Sequence, residues 1–181
     1  VGIVGMGNIG SRVAALAAAF GCRVIATTRR PESLPAGVGA ADLDSLVAQS
    51  DVLVLCCPLT EATRGLLSAA RIATMRAGSI VINVSRGPVV DQDALAAALA
   101  GGRLGGAALD VFEVQPLPED SPLWSLENVI LTPHAAGITA DSMFRMGSGA
   151  ADEVMRVLAG DLPVNFCNPE VEAAYRLRFP R

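Results

Sequence analysis

A doubly wound α/β fold, a parallel sheet with helices on both faces, is predicted by three features of this sequence. Short runs rich in Val, Ile and Leu alternate with helix-like segments from one end of the chain to the other, the pattern of strands buried on both faces. The first of these runs turns at Gly5 and opens through Gly5-x-Gly7-x-x-Gly10 into an alanine-rich stretch. Apolar residues make up 51% of the 181 positions but aromatics only 4%, so the core is built from Ala, Val, Leu and Ile.

The elements follow in order. Residues 1–4 form the first strand and residues 9–20 a helix, which Gly21 stops. Residues 23–27 read as the second strand and 31–39 as a loop. Asp42 is placed to cap a helix through about residue 48. Residues 52–55 are a buried strand that ends before Pro58, and 61–75 hold helical turns. The fourth strand spans 79–84, and a helix over 91–100 ends at Gly101-Gly102. The fifth strand spans 107–111, a proline-rich loop 116–122, the sixth strand 129–131 and a long helix 139–159. Residues 1–163 are thus expected to form one dinucleotide-binding domain of the Rossmann type, with 164–181 as a tail of no clear period. The chain lacks an initiator Met and begins inside a strand, so it reads as part of a longer protein.

Ligands of such sheets bind outside the carboxyl ends of the strands, at the switch in strand order. The segments there are 5–10, 28–30, 57–58, 84–87, 110–115 and 133–137. In the first, Gly5 allows the tight turn, Gly7 lets backbone approach a pyrophosphate, and Gly10 lets the helix pack on the strand. The helix start at Asn8 and Ile9 offers unpaired amides and the positive end of a dipole. At the end of the second strand an acidic residue would accept hydrogen bonds from the ribose of NAD. Here the chain reads Thr27-Thr28-Arg29-Arg30, a hydroxyl and two guanidinium groups suited to a 2′-phosphate. NADP is therefore favoured over NAD as the cofactor. Arg86 closes the fourth strand, and His134, the sole histidine, follows the sixth. An Arg can hold a carboxylate and polarise a carbonyl, and a His can move a proton near neutral pH. Together they are what interconversion of a 2-keto acid and a 2-hydroxy acid needs, provided both face the crevice above the glycine turn.

These segments, in this order, resemble the cofactor-binding domain of the D-isomer-specific 2-hydroxyacid dehydrogenases, from Gly2 to about Pro163. The resemblance rests on 5–10, Pro58-Leu59-Thr60 with Thr63, 83–90 with Asp91, Leu109-Asp110-Val111-Phe112, Pro116-Leu117-Pro118 with 121–124, and 131–137. The resemblance implies that Arg86 binds the substrate carboxylate and carbonyl oxygen and that His134 is the acid/base. It implies that Asn8 and Ile9 meet the pyrophosphate and that Thr28 replaces the ribose-binding acid. Cys57, Pro58 and Thr63 would line the cofactor site. Val84, Ser85 and Asp110 would lie around the nicotinamide and its ribose, with Ala136 and Gly137 completing that pocket beside Arg86 and His134. Gln115 stands where the family usually has the Glu that orients and charges the histidine. A Gln can still fix the ring, but His134 would hold its proton less firmly than beside a carboxylate. Glu113 would point the same way as Gln115 if the segment is extended. Formate dehydrogenases, in the same family, also carry Gln here.

The family has a second domain that closes over the substrate. Without it this chain is expected to bind cofactor but to turn over poorly, with the tail docking on that domain. The resemblance implies a reductase of small 2-keto acids such as glyoxylate or hydroxypyruvate, and commonly a homodimer. Its alternatives are a dinucleotide-sensing module, like the corepressors called C-terminal-binding proteins, or a formate-dehydrogenase-like enzyme. The net charge of −4, with fourteen dispersed Arg and no Lys, gives no nucleic-acid or membrane surface. Cys22, Cys56, Cys57 and Cys167 form no CxxC pair or Cys/His cluster, so no metal site is expected. The first three read as small buried hydrophobes, and a reducing cytoplasm is the simplest compartment.

Overall fold

The computed structural model describes residues 1–179, so positions 180 and 181 of the expected tail lie outside the described residues. Seven parallel strands form one sheet: β1 (Gly2–Val4), β2 (Val24–Thr27), β3 (Val38–Ala40), β4 (Val52–Leu55), β5 (Ile80–Asn83), β6 (Gly106–Leu109) and β7 (Val129–Leu131). Their order is β3-β2-β1-β4-β5-β6-β7, with the reversal between β1 and β4. Helices α1 (Asn8–Ala19), α2 (Leu43–Gln49), α3 (Ala69–Thr74) and α4 (Gln92–Ala100) connect the strands. After β7 the chain continues with α5 (Ala140–Leu158) and α6 (Glu172–Arg178).

Side-chain alternation along β1 explains why both faces are covered. Ile3 packs with Ala14 of α1, Val24 and Ala26 in one small cluster. Val4, one residue on, joins the main core with Leu46 of α2, Leu53 and Leu55 of β4, Ile72 of α3 and Leu95 of α4. Burying a Leu or Ile of this kind is worth about 1.5–3 kcal/mol. The local signals that start these helices are short polar side chains. Asp42 accepts from the Ser45 amide, Ser68 from that of Arg71, and Asp91 from that of Ala94. Gly21, at φ 77°, ends α1 as its sequence position predicts.

Two expectations are corrected, and a third is borne out in two pieces. The 31–39 loop contains the start of β3, so there are seven strands and not six. Its sequence, Val38-Gly39-Ala40, is three residues long on a sheet edge and shows no alternation to detect. The helical turns expected over 61–75 form at 61–65 and in α3, and they are interrupted between the two by pairing with the neighbouring segment. Gly65 donates to Pro88, Leu67 to Val89, and Leu67 bridges Val90. Cys22 is exposed, between α1 and β2, whereas Cys57 is buried and Cys56 half-buried.

The described chain divides by compactness into two units, Val1–Ala136 and the part from Gly137 onward. The first holds the whole sheet. The second holds α5, opened by a capping box between Thr139 and Ser142, and α6. No residue of α5 is buried, and Met143, Phe144, Met155 and Leu158 are exposed. Among the described residues no helix is long and apolar enough to cross a membrane.

Candidate active site

At the β1–β4 reversal the backbone itself makes the site. The Gly5 amide donates to Thr27 (2.9 Å) and the Cys56 amide to Val4 (2.8 Å), tying the ends of three strands together. Gly5 has φ 92°, and a Cβ there would lie 3.0 Å from the Cys57 backbone. A Cβ on Gly10 would collide with the Gly5 carbonyl. Gly7 differs from both. Its φ of −81° suits any residue, and a Cβ there would meet nothing within 4 Å. The fold gives no reason for a glycine at position 7, so the space above it is free for a ligand. Gly7 is also the N-cap of α1, with no side chain capping the helix and no acid in its first turn. The Asn8 and Ile9 end of α1 therefore keeps its capacity for an anion.

Around this turn, Thr28 accepts from the Arg30 amide (3.4 Å), and both Arg29 and Arg30 are exposed and outside any ion pair among the described residues. Thr63 donates to the Pro58 carbonyl (2.7 Å) and accepts from the Thr60 amide (2.7 Å), so its hydroxyl shapes the turn that carries Pro58. Burial pushes the Cys56 thiol up to about 11, with Cys57 adding to it, and burial raises Cys57 as well. Both are thereby poor nucleophiles at neutral pH.

Across the sheet, at the ends of β5, β6 and β7, side chains make the site. Asn83 is buried at the end of β5, and its amide accepts from the Ser85 amide (3.0 Å) and hydroxyl (2.8 Å) and donates to the Arg86 carbonyl (3.1 Å). That knot presents Val84 and exposed Arg86, whose guanidinium donates to the Ser85 carbonyl (2.7 Å). A Cβ on Gly87 would collide with Phe112, so the Arg86 loop lies against the end of β6. Asp110, just past β6, is buried and accepts from the Thr132 hydroxyl (2.6 Å), the Ala135 amide (2.7 Å) and the Ala136 amide (3.0 Å). Burial alone would raise its carboxyl. The bonds from Thr132, Ala136 and Ala135 and the charge of His134 outweigh it and hold Asp110 below the usual range.

His134 follows β7 at φ 56°, the left-handed region, the only non-glycine there among the described residues. Its Nδ1 lies 3.0 Å from Gln115 Oε1. The Gln115 Nε2 donates to the Phe112 carbonyl (3.5 Å), which leaves Oε1 to accept and puts the proton on Nδ1. The other ring nitrogen, Nε2, is then the one available for chemistry. Glu113 does not take this place, and its amide donates to the Gln92 side chain (3.1 Å). Gln115 and His134 line a cavity of about 460 Å³ together with Phe112, Leu117, Trp124 and Leu131. Arg86 and His134 follow strands that flank β6. Strand spacing sets the ends of β5 and β7, which these residues follow, roughly 10 Å apart. Gly137 falls in the second unit, where its carbonyl accepts from Ser142 (2.7 Å).

Asn83 and Thr132 lie inside the matched motifs but had no role assigned from sequence. Both are polar residues at or just past the end of an apolar strand, and Asn83 is buried there.

A parallel sheet with an uncapped glycine turn at its reversal defines a dinucleotide-binding domain. The D-isomer specific 2-hydroxyacid dehydrogenase NAD binding domain matches residues 1–136, and the chain belongs to this family. Glyoxylate/hydroxypyruvate reductase B of Yersinia pestis (strain Pestoides F) is 42% identical over 175 residues, covering 94% of this chain and 54% of that protein. The chain thus spans about half the length of the curated relatives it matches. Among solved structures, a D-isomer specific 2-hydroxyacid dehydrogenase from Xanthobacter autotrophicus Py2 in complex with NADPH and MES superposes with TM-score 0.81 at 40% identity, over 94% of this chain and 71% of that one. D-lactate dehydrogenase with NAD+ from Lactobacillus jensenii gives TM-score 0.83 at 30% identity, over 90% of this chain and 53% of that one.

Proposed function

We propose that this chain is the cofactor half of an NADPH-preferring reductase of small 2-keto acids, of the glyoxylate or hydroxypyruvate kind. The observation that carries the proposal is the left-handed His134, fixed through Nδ1 by Gln115, two strands across from Arg86 on a sheet whose glycine turn is open at Gly7. The likeness to glyoxylate/hydroxypyruvate reductase B supports the substrate class. Thr28, Arg29 and Arg30 in place of an acid after β2 support NADP over NAD.

The cofactor would be held at Gly5–Gly10 and by Thr28, Arg29, Arg30, Cys57, Pro58, Thr63, Val84, Ser85, Ala136 and Gly137. When bound it supplies a hydride. Arg86 anchors the substrate carboxylate and draws electron density toward the keto oxygen. His134 Nε2 delivers one proton to that oxygen as it becomes an alcohol, and in the reverse direction takes it back. One hydride at C2 and one proton at oxygen convert the keto acid to the hydroxy acid.

Residues 164–181 dock, in this reading, on a substrate domain outside this chain, and the exposed apolar residues of α5 support assembly into a homodimer. Four free cysteines suit a reducing compartment such as the cytoplasm. A steady-state assay of the full-length protein with NADPH and with NADH, against glyoxylate, hydroxypyruvate and pyruvate, tests the function. Tight NADPH binding with no oxidation by any 2-keto acid would assign dinucleotide sensing instead, and a clear NADH preference would remove the NADP assignment.

A further inference from the structure

We infer that the cavity beside His134 is a subsite for a branched or aromatic substituent on the keto carbon, with Trp124 as its specificity-determining wall. The inference rests on the proposed role of His134 as the proton-transfer group. It extends the substrate class from glyoxylate and hydroxypyruvate to larger, apolar 2-keto acids. The cavity holds about 460 Å³, within the range of small-molecule sites. Glyoxylate carries only hydrogen at the position concerned, and hydroxypyruvate a hydroxymethyl group. Neither makes use of such a volume.

The walls decide what enters. Phe112, Pro116, Leu117, Trp124, Leu131 and Pro133 are apolar. The polar lining side chains are already bonded to the protein. The Thr132 hydroxyl donates to Asp110 (2.6 Å), Gln115 Oε1 pairs with His134 Nδ1 (3.0 Å), and Gln115 Nε2 donates to the Phe112 carbonyl (3.5 Å). A hydroxyl placed in the cavity competes with these bonds, whereas hydrocarbon does not and gains from leaving water. Among the described residues no carboxylate or guanidinium lines the cavity. The acid end of a keto acid therefore stays with Arg86, and the end that enters is the other one.

Trp124 is built as a fixed wall. It sits in the short turn Pro122–Ser125, which Ser121 caps and the buried Leu123 anchors to the core. Its Nε1 donates to the Pro118 carbonyl (2.9 Å), so the indole is tied in place although the residue is 58% exposed. An aromatic held at the rim of an apolar cavity is contact surface for an apolar group.

Steady-state kinetics on the full-length protein test this with glyoxylate, pyruvate, 4-methyl-2-oxopentanoate and phenylpyruvate. The kcat/KM for 4-methyl-2-oxopentanoate should exceed that for pyruvate by about tenfold or more, as added methylenes do in a hydrophobic pocket. Trp124→Ala should remove about tenfold of it and leave glyoxylate within about twofold. Reduction of glyoxylate without reduction of either larger acid overturns the inference and leaves the proposed function standing. An equal loss for glyoxylate and 4-methyl-2-oxopentanoate in Trp124→Ala also overturns it. Binding is read apart from turnover. Trp124 is the only tryptophan of this chain, and Trp124→Phe identifies its emission in the full-length protein. With NADP+, which cannot reduce a keto acid, 4-methyl-2-oxopentanoate should shift that emission saturably to shorter wavelength, and pyruvate should not. A saturable shift in a protein that reduces no 2-keto acid removes the proposed reaction and keeps the subsite. Emission unmoved by 4-methyl-2-oxopentanoate overturns the inference, the outcome expected if a side chain of the substrate domain fills the cavity instead. Should Trp124→Ala fail to fold, the emission of the parent protein decides.

Discussion

The middle of the sheet and its β7 side hold their functional residues in different ways. At β1 and β4 the site is backbone: amide bonds between strand ends, a left-handed Gly5 and an open Gly7. At β5 to β7 it is side chain: Asn83 knots the Arg86 loop, Asp110 clamps the His134 segment, and Gln115 aims the ring. A backbone site tolerates most changes of side chain but not of glycine. A side-chain site tolerates changes in neither of its two layers. The difference gives each half its own signature in mutants.

The largest effect is expected at the tip of the side-chain half. His134→Asn should lower kcat for 2-keto acid reduction by about 10²–10⁴ while leaving the KM for NADPH nearly unchanged. Arg86→Gln should raise the substrate KM as well, because it removes the carboxylate anchor. Steady-state kinetics on the full protein check both. A parallel loss of cofactor affinity in His134→Asn would erase the distinction between the halves.

Within the backbone half, two glycines separate fold from function. Gly10→Ala drives a Cβ into the Gly5 carbonyl and should cost about 1–3 kcal/mol, read as a lower melting temperature. Gly7→Ala meets no protein atom, so stability should stay within about 0.5 kcal/mol. Its NADPH affinity should nevertheless fall, measured by titration calorimetry, because the methyl group enters the ligand's space. If Gly7→Ala binds NADPH as tightly as the parent, the pyrophosphate does not lie there.

That contrast shows what the sequence could carry. Glycine spacing, strand alternation and helix caps are local, so the turn at Gly5, the caps at Asp42 and Asp91 and six of the seven strands were legible. β3 was not, because a three-residue edge strand with Gly39 at its centre lacks both length and pattern. Arg86 and His134 were legible as candidates by their places after strands. The knot at Asn83 and the clamp by Thr132 on Asp110 were not, since they join residues 22 or more apart or turn on burial that only packing reveals.

A smaller effect tests the specificity assigned to the loop after β2. Replacing Arg29 and Arg30 together by Ser should weaken NADPH about tenfold, near the 1.4 kcal/mol of one charge-assisted bond, and leave NADH unchanged. Equal losses for both cofactors would place the arginines on a feature the two share, and the 2′-phosphate reading would fall.

The smallest effect is in stability against pH, and it separates the halves by charge alone. Asp110 has a folded-state carboxyl below the ordinary value of 3.8. A group depressed in this way contributes stability that is fully present above 3.8 and is lost as the pH falls through its lowered value. Protonation also costs the clamp an acceptor at Ala135 or Ala136, because a carboxyl that carries a proton offers less to three donors. No carboxylate takes part in the bonds from Gly5 to Thr27 or from Cys56 to Val4. On acidification below about pH 4, amide exchange should therefore quicken at Ala135 and Ala136 before it quickens at Gly5 and Cys56. In Asp110→Asn the two pairs should lose protection together, since the titrating group is gone. If Ala135 and Ala136 stay protected to the acid end in the parent chain, the carboxylate is not what holds the histidine's segment, and the two halves of the site are held in the same way after all.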